Sequence, residues 1–493
     1  MKHMLFAGMA FSAATLFAAY EGPKMDIRLW KGETAIVRIE EKISGELDKL
    51  ERHPGIVCTP MAARPVSYRL GPQDEHVGSV CDLVESGKKM CVGGVRLLKV
   101  AVDPGVAAGR YDLGPVGVTV VDRVLPPPGE WKFFLDLWQH PWAVSRYFGV
   151  KPFSRAHYGR MEKVYRTLAE SGVKALTVTL LDQPWNHQCY DAYNSMIGRV
   201  KKDDGSWRFD YSIFDEYVEF GRRCGIGPDI ACYTMCPWGY VVRWRDERGE
   251  IHRAVAKPGS REFEDFWGAF LVDFTAHLKA KGWFEDAYIA MDERSPEDVS
   301  FIAKFIQERS PGMKIAMAGN RKPSDFKGIV IDNYSQIVYD ITPEFLAEVP
   351  GRREKGFKTT FYVCCSPYRP NTFMASGKNE PFWLGAYASL RNLDGFLRWA
   401  ANSWPQDPYV DAAYGNWASG DTFLVYPNGE PSLRLVDLRA GVIVAEKLRI
   451  LNASGQIGAD IEQFAAKFDY RNAAKANFDF RRCREELENF VNR

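Results

Sequence analysis

The stretch Ala287-Tyr288-Ile289-Ala290-Met291-Asp292-Glu293-Arg294-Ser295-Pro296-Glu297-Asp298 carries the key to the fold. Its first five residues form a short apolar run of the kind that makes a buried strand. Three charged residues interrupt it. Ser295-Pro296-Glu297-Asp298 then supplies a capping hydroxyl, a proline at the first helical position and early acids, which together start a helix. A strand, a polar tip and a helix make one βα unit.

The unit recurs in both directions. Upstream, Phe133–Trp138 reads as a strand. Ser154 caps a helix whose Met161, Val164, Tyr165 and Leu168 recur at helical spacing up to Gly172. Ala175–Leu181 and Asp229–Tyr233 are the next strands, with a helix between them that Gly225 stops. Val241–Val255 reads as an inserted hairpin turning near Arg248-Gly249, and Ser260 starts a helix towards Lys281. Downstream, Lys314–Met317, Gly328–Asp332, Thr359–Cys364 and Gly395–Trp399 complete the series. Eight strands with intervening helices in about 270 residues predict a (β/α)8 TIM barrel.

The barrel is expected over residues 129–410. Residues 20–128 hold short strand-like runs between Gly and Pro turns and predict a small N-terminal β-sandwich. It ends at the stiff joint Pro126-Pro127-Pro128-Gly129. Residues 411–493 read as a mostly helical C-terminal segment, with Leu435, Leu438, Val442 and Ile443 placed to pack on the barrel's outside. Lys2 and His3 precede an apolar run to Ala19. Residues 1–19 therefore read as a signal peptide, and export to the periplasm, cell surface or medium is expected. No later stretch is apolar enough to span a membrane.

The chain has 493 residues and a formal net charge of +1. A near-neutral chain has no global field to attract nucleic acid, so no nucleic-acid partner is expected. Of the 10 cysteines, none has the spacing of a zinc site. Cys232 and Cys236 are four apart, Cys364 and Cys365 are adjacent, and no histidines cluster beside them. They read as small buried hydrophobes, and no metal or organic cofactor is implied.

In such barrels the active site lies at the C-terminal strand ends. The expected tips are rich in carboxylates, amides and indoles. They include Gln139-His140-Pro141-Trp142, Trp185-Asn186-His187, Pro237-Trp238, Asp292-Glu293-Arg294, Asp332-Asn333-Tyr334 and Asn402-Ser403-Trp404. Sugars need that mixture, with directional partners for hydroxyls and flat surfaces for the ring faces. Asp292 and Glu293 could simply be solvated or cap the next helix. Their place at a barrel tip favours chemistry, since glycosidases generally use two carboxyl groups. Adjacent acids also drive their pKa values apart, which suits one acid and one charged partner.

Further stretches carry a resemblance. They are Pro184-Trp185-Asn186-His187-Gln188-Cys189-Tyr190-Asp191, Trp207-Arg208-Phe209-Asp210-Tyr211, Lys281-Gly282-Trp283-Phe284 leading into Tyr288–Arg294, Pro370-Asn371-Thr372-Phe373, and Leu393–Ala400. In this order they resemble glycoside hydrolase family 123, the exo-acting β-N-acetylgalactosaminidases. The resemblance implies a retaining, substrate-assisted mechanism, in which the sugar's own acetamide oxygen attacks the anomeric carbon and forms an oxazolinium-like intermediate. Glu293 would be the acid and base, and Asp292 would hold the acetamide N–H and offset the developing positive charge.

Tyr334, at the expected sixth tip, is the first candidate to hold the acetamide oxygen, and Tyr362 the second. Trp185, Trp399 and Trp404 are candidate sugar platforms, each equally able to be barrel packing. His140, His187, Asp191 and Asn402 are candidate hydroxyl ligands or structural loop residues. The expected partner is a glycan or glycoconjugate substrate, and the oligomeric state stays open. Two alternatives remain: a relative acting on β-linked N-acetylglucosamine or broader N-acetylhexosaminides, and a carbohydrate-binding barrel without activity. Gly441–Glu446 is less acidic than the resemblance leads one to expect, a departure that bears on packing.

Overall fold

The computed structural model describes residues 22–69, 77–86 and 94–493. The apolar N-terminal run lies outside the described residues. Among the described residues, no helix is long and apolar enough to cross a membrane.

Eight parallel strands form the central sheet: Phe134–Leu137, Ala175–Thr179, Asp229–Tyr233, Ala287–Met291, Lys314–Gly319, Asn333–Ile337, Lys358–Val363 and Gly395–Arg398. From the second strand to the eighth, each is laddered to its sequence neighbour, and the eighth returns to the first. The first and second strands meet through the single bridge Leu135–Val173 and through one side chain. Gln139 donates from its amide to the Leu137 and Ala175 carbonyls, accepts from Thr177 N at 2.8 Å, and donates from its own N to Thr177 Oγ1. The sheet is thus a closed (β/α)8 barrel, as the recurring units predict. Ser154, Ser260 and Ser295 each cap a following helix by accepting an N–H in its first turn. Met161, Val164, Tyr165 and Leu168 are fully buried.

The sixth strand corrects the sequence expectation. Gly328–Asp332 is not a strand, and Val330 is 52% exposed. The strand is Asn333–Ile337, buried throughout despite its polar composition. A polar strand survives here because this barrel's interior is itself polar. Positions on the inward-facing side of their strands include Asp136, Thr177 and the register pair Ser335 and Thr360. Near the floor, Lys358 Nζ bonds Asp229 and lies 3.0 Å from the Tyr288 hydroxyl.

The N-terminal residues form two facing sheets. One has three strands (Met25–Lys31, Val116–Val124 and Gly109–Asp112). The other has four (Thr34–Arg38, Val95–Val102, Ile56–Arg69 and Val77–Ser86). Ile27, Leu29, Leu98, Val100 and Val118 share the core between them, a small sandwich. Trp30 Nε1 bonds the Val491 carbonyl, and Lys447 Nζ lies 2.6 Å from Glu33, so the sandwich is tied to the C-terminal helices. The predicted hairpin, Val241–Asp246 with Ile251–Val255, extends into a four-stranded sheet by adding Gly198–Lys201 and Trp207–Asp210.

The helix Leu433–Ala453 buries Leu435, Leu438, Val442 and Ile443. It crosses the helix Glu380–Leu390 so closely that a Cβ at Gly441 would sit 2.1 Å from the Phe382 carbonyl, and one at Gly385 2.6 Å from that of Leu438. Only glycine fits there, and the Gly441–Glu446 departure belongs to this crossing.

Candidate active site

Side chains alternate along a strand, so register decides what faces the barrel's interior. Tyr233, Ala290 and Ala316 are in register across the third to fifth strands, and Tyr362 pairs with Ile337 across the seventh and sixth. The same alternation carries Asp292 inward, one residue past the end of its strand. Glu293 would point the other way in a continuing strand. The strand stops at Met291, the chain turns, and the Tyr362 hydroxyl donates to Glu293 Oε1. The two carboxylates therefore face one space, which two adjacent residues inside a strand do not.

Asp292 is held on both oxygens. Trp238 Nε1 donates to Oδ2 at 2.7 Å, and Arg294 Nη2 lies 3.0 Å from Oδ1. The Arg294 guanidinium in turn stacks over the Trp238 ring, 4.5 Å from its centre. Burial pushes the Asp292 carboxyl up from its usual value. Arg294 and the indole N–H pull it back, and the neighbouring Glu293 charge raises it. Each carboxylate oxygen has two lone-pair directions, so Asp292 can still accept an N–H from a ligand.

Tyr334 is not at a tip. It lies near the start of the sixth strand, on the same face as Gln336 and its register partner Phe361, whose ring packs on Tyr387 of a surrounding helix. That is the barrel's outside. Tyr334 is fully buried, and its hydroxyl is committed to the Arg321 backbone, donating to O and accepting from N. The residue that reaches the sixth tip is Tyr339, 45% exposed, whose hydroxyl is pushed up by burial and by the charges of Asp340 and Glu293. Tyr362, inward on the seventh strand, is the tyrosine in contact with the acid pair.

The three tryptophans part company. Trp404 is enclosed and donates to the Val425 carbonyl at 2.7 Å, so it packs. Trp185 is 7% exposed and stacks on Trp138, 5.0 Å away, beside Tyr233 and Tyr193. Tyr233 faces inward and feels the Asp292 charge, so this aromatic group lies beside the carboxylates. Trp399 keeps part of its surface open, with Nε1 3.3 Å from Asp421 and its ring edge-on to Trp417.

His140, Asn402 and Asp191 form a frame joining the tip loops. Asn402 accepts from His140 N and donates to His140 O, bridging the first and eighth tips. His140 donates from Nε2 to the Asp191 carbonyl and stacks on Tyr193, and burial pushes its ring down to about 3. Asp191 grips Arg146, which also donates to the Trp404, Pro405 and Gln406 carbonyls. His187 is exposed, on a loop where Gln183, Asn186 and His187 all have positive φ. Sequence reading places Trp238 and Arg294 at their tips without giving them a role. Their adjacency to a proline and to the acids is the signal that could have found them.

A cavity of about 830 Å³ lies away from the strand tips, between the N-terminal sheets and the C-terminal helices. It is a seam crossed by the ion pairs Arg38–Asp437 and Arg484–Asp437, and it contains neither carboxylate of the pair.

The model of the glycoside hydrolase 123 catalytic domain matches residues 138–451. A family 123 glycoside hydrolase from Clostridium perfringens, solved in a study of glycolipid glycan hydrolysis, superposes with a TM-score of 0.81 at 21% identity, over 95% of this chain and 94% of that one. A termite-gut GH10 xylanase containing a bacterial Ig-like domain matches with a TM-score of 0.36 at 12% identity, over 87% of this chain and 100% of that one. No curated protein matches the sequence. With more than half its length matched by the family model, and the acid pair inside that match, the chain belongs to glycoside hydrolase family 123 and is a glycoside hydrolase.

Proposed function

We propose that the protein is an exo-acting, retaining hydrolase that releases terminal β-linked N-acetylgalactosamine with the help of the substrate's own acetamide. The observation that carries this reading is the unequal setting of the two acids. Asp292 is sheltered and clamped by Trp238 and Arg294, while Glu293 is open to solvent and touched by Tyr362. A clamped carboxylate suits a stationary role, accepting the acetamide N–H and steadying the positive charge that spreads over the oxazolinium ring. An open carboxyl suits proton traffic.

In this scheme the acetamide oxygen bonds to the anomeric carbon as the glycosidic bond breaks, and Glu293 gives its proton to the departing oxygen. Water then attacks the anomeric carbon, Glu293 takes the water's proton, and the ring reopens to the acetamide. Two inversions restore the β configuration. Tyr362 is placed to hold the acetamide oxygen or to orient Glu293. A glycolipid glycan is a candidate source of the sugar, by analogy with the Clostridium perfringens enzyme, and the N-terminal apolar run supports action outside the cytoplasm.

The test is hydrolysis of paired aryl β-glycosides of N-acetylgalactosamine and N-acetylglucosamine, with the first-formed anomer followed by NMR. The β anomer from the galacto substrate, and strong inhibition by a thiazoline mimic of the intermediate, are expected. Release of the α anomer, or preference for the gluco substrate, refutes the mechanism or the substrate respectively.

A further inference from the structure

The seventh barrel strand ends at Val363, and the chain then places two thiols in succession, Cys364 half-buried and Cys365 exposed. Their sulfurs lie 3.9 Å apart. The turn that carries them is fastened: Cys364 N donates to Ser366 O at 3.1 Å, and Asn371 Nδ2 donates to the carbonyls of Cys364 and Pro367. It sits on the rim of the mouth. Tyr362, two residues earlier, bonds Glu293, and the Tyr339 hydroxyl lies within the fields of Glu293 and of both thiols.

Cys365 also differs chemically from the other described cysteines, Cys364 included, whose thiol the contact with Cys365 and burial push up. The hydrogen bond from Cys364 pulls the Cys365 thiol down, against burial and the Asp421 charge, with Arg398 adding a smaller pull. Burial instead pushes up Cys58, Cys189, Cys224, Cys232, Cys236 and Cys483. An exposed thiol whose ionisation is favoured by a second thiol 3.9 Å away has the features of a site of disulfide exchange.

We propose that Cys364–Cys365 is a thiol-modification site on the active-site rim, taking small-molecule disulfides of the glutathione type. The Cys365 thiolate attacks one sulfur of the disulfide. That S–S bond breaks, a mixed disulfide forms on Cys365, and the departing thiolate takes up the proton that Cys365 had released. Cys364 then attacks the Cys365 sulfur, displaces the second thiol and closes a disulfide between adjacent residues. Two electrons pass from the cysteines to the small disulfide, which leaves as two thiols. Neighbouring Cα atoms are about 3.8 Å apart, shorter than the usual disulfide span, so the closed ring is strained and readily reduced. A thiol adduct at this rim blocks access to Glu293, a consequence that rests on the functional reading above.

The test incubates the full chain with glutathione disulfide and follows peptide mass and aryl-glycoside hydrolysis together. The expected result in the parent is a loss of two hydrogens from the peptide holding Cys364 and Cys365, and in Cys364→Ser a stable glutathione adduct with loss of most turnover, each reversed by a thiol reductant. Cys365→Ser should keep its turnover under the same treatment, and Cys364→Ser should accumulate the mixed disulfide that the parent resolves. No modification of that peptide in the parent or in Cys364→Ser overturns the proposal, as does full turnover by Cys364→Ser carrying the adduct. If the reduced parent hydrolyses no glycoside, the functional reading fails, and the peptide masses still decide whether the site exchanges.

Discussion

Replacing Trp238 by Phe isolates one hydrogen bond. Phe keeps an aromatic face under the Arg294 guanidinium while it removes the N–H that donates to Asp292 Oδ2 at 2.7 Å, together with part of a ring that is already partly exposed. A hydrogen bond to a charged acceptor contributes roughly 1.5–3 kcal/mol. Trp238 is 40% exposed, so water takes over part of the lost interaction, and the lower end of that range applies. About 1.5 kcal/mol corresponds to about a tenfold fall in kcat/KM. The sign of the pH effect also follows. The N–H favours the charged carboxylate, so its loss raises the Asp292 pKa, by up to about one unit for that energy. The proposed mechanism needs Asp292 charged, so the acidic limb of the pH–rate profile should move to higher pH. The assay is kcat/KM for an aryl β-N-acetylgalactosaminide across the acidic range, for parent and Trp238→Phe. A parent-like rate with an unmoved limb refutes the role given to this hydrogen bond, and a uniform loss at every pH with lowered melting points to misfolding instead.

Glu293→Gln should lose roughly 10²–10⁴-fold in turnover of a substrate with a poor leaving group, as expected when a general acid is removed. Parent-like turnover there would deny Glu293 its role. Tyr334→Phe should cost about 0.5–1.5 kcal/mol of stability in urea unfolding, because it removes a hydroxyl that both donates to and accepts from the Arg321 backbone, while kcat stays unchanged. A fall in kcat without loss of stability would put Tyr334 back in the site. Asp136 offers a pH test of the barrel's polar interior. Burial holds its carboxyl up to about 7, so the folded protein keeps a proton that the unfolded chain has already released. Its contribution to stability is therefore complete below its ordinary pKa of about 4 and is lost as pH rises through about 7, with an upper bound of roughly 4 kcal/mol. Asp136→Asn should flatten stability across that window, and an unchanged slope would show that another group controls it.

Much of this was legible in the sequence where burial and composition agree. The third and fourth strands, Asp229–Tyr233 and Ala287–Met291, fall on their expected residues, and the three serines cap the helices that local chemistry assigns them. The sixth strand is displaced from its expected place because apolarity is a proxy for burial, and the proxy fails inside a polar barrel. Gly328–Asp332 is largely apolar but lies in an irregular loop, while Asn333–Ile337 is polar and buried. That five-residue slip is what put Tyr334 at a mouth it does not reach. Trp404 and Trp399 are five residues apart and look alike in sequence, yet one is enclosed and the other half open, a difference made by loops that pack only in three dimensions. Trp238 meets Asp292 across 54 residues, a contact that no local pattern contains.

The Gln139 amide gives the barrel an asymmetry of information. Seven of its junctions are drawn in backbone ladders, which accept many side chains. The remaining junction is drawn largely by one side chain, which grips Leu137, Ala175 and Thr177 at once. Drift in sequence can therefore pass freely through most of the ring's joints. At residue 139 it would unlace the cylinder, along the line that ends beside Trp138 and the loop of Trp185.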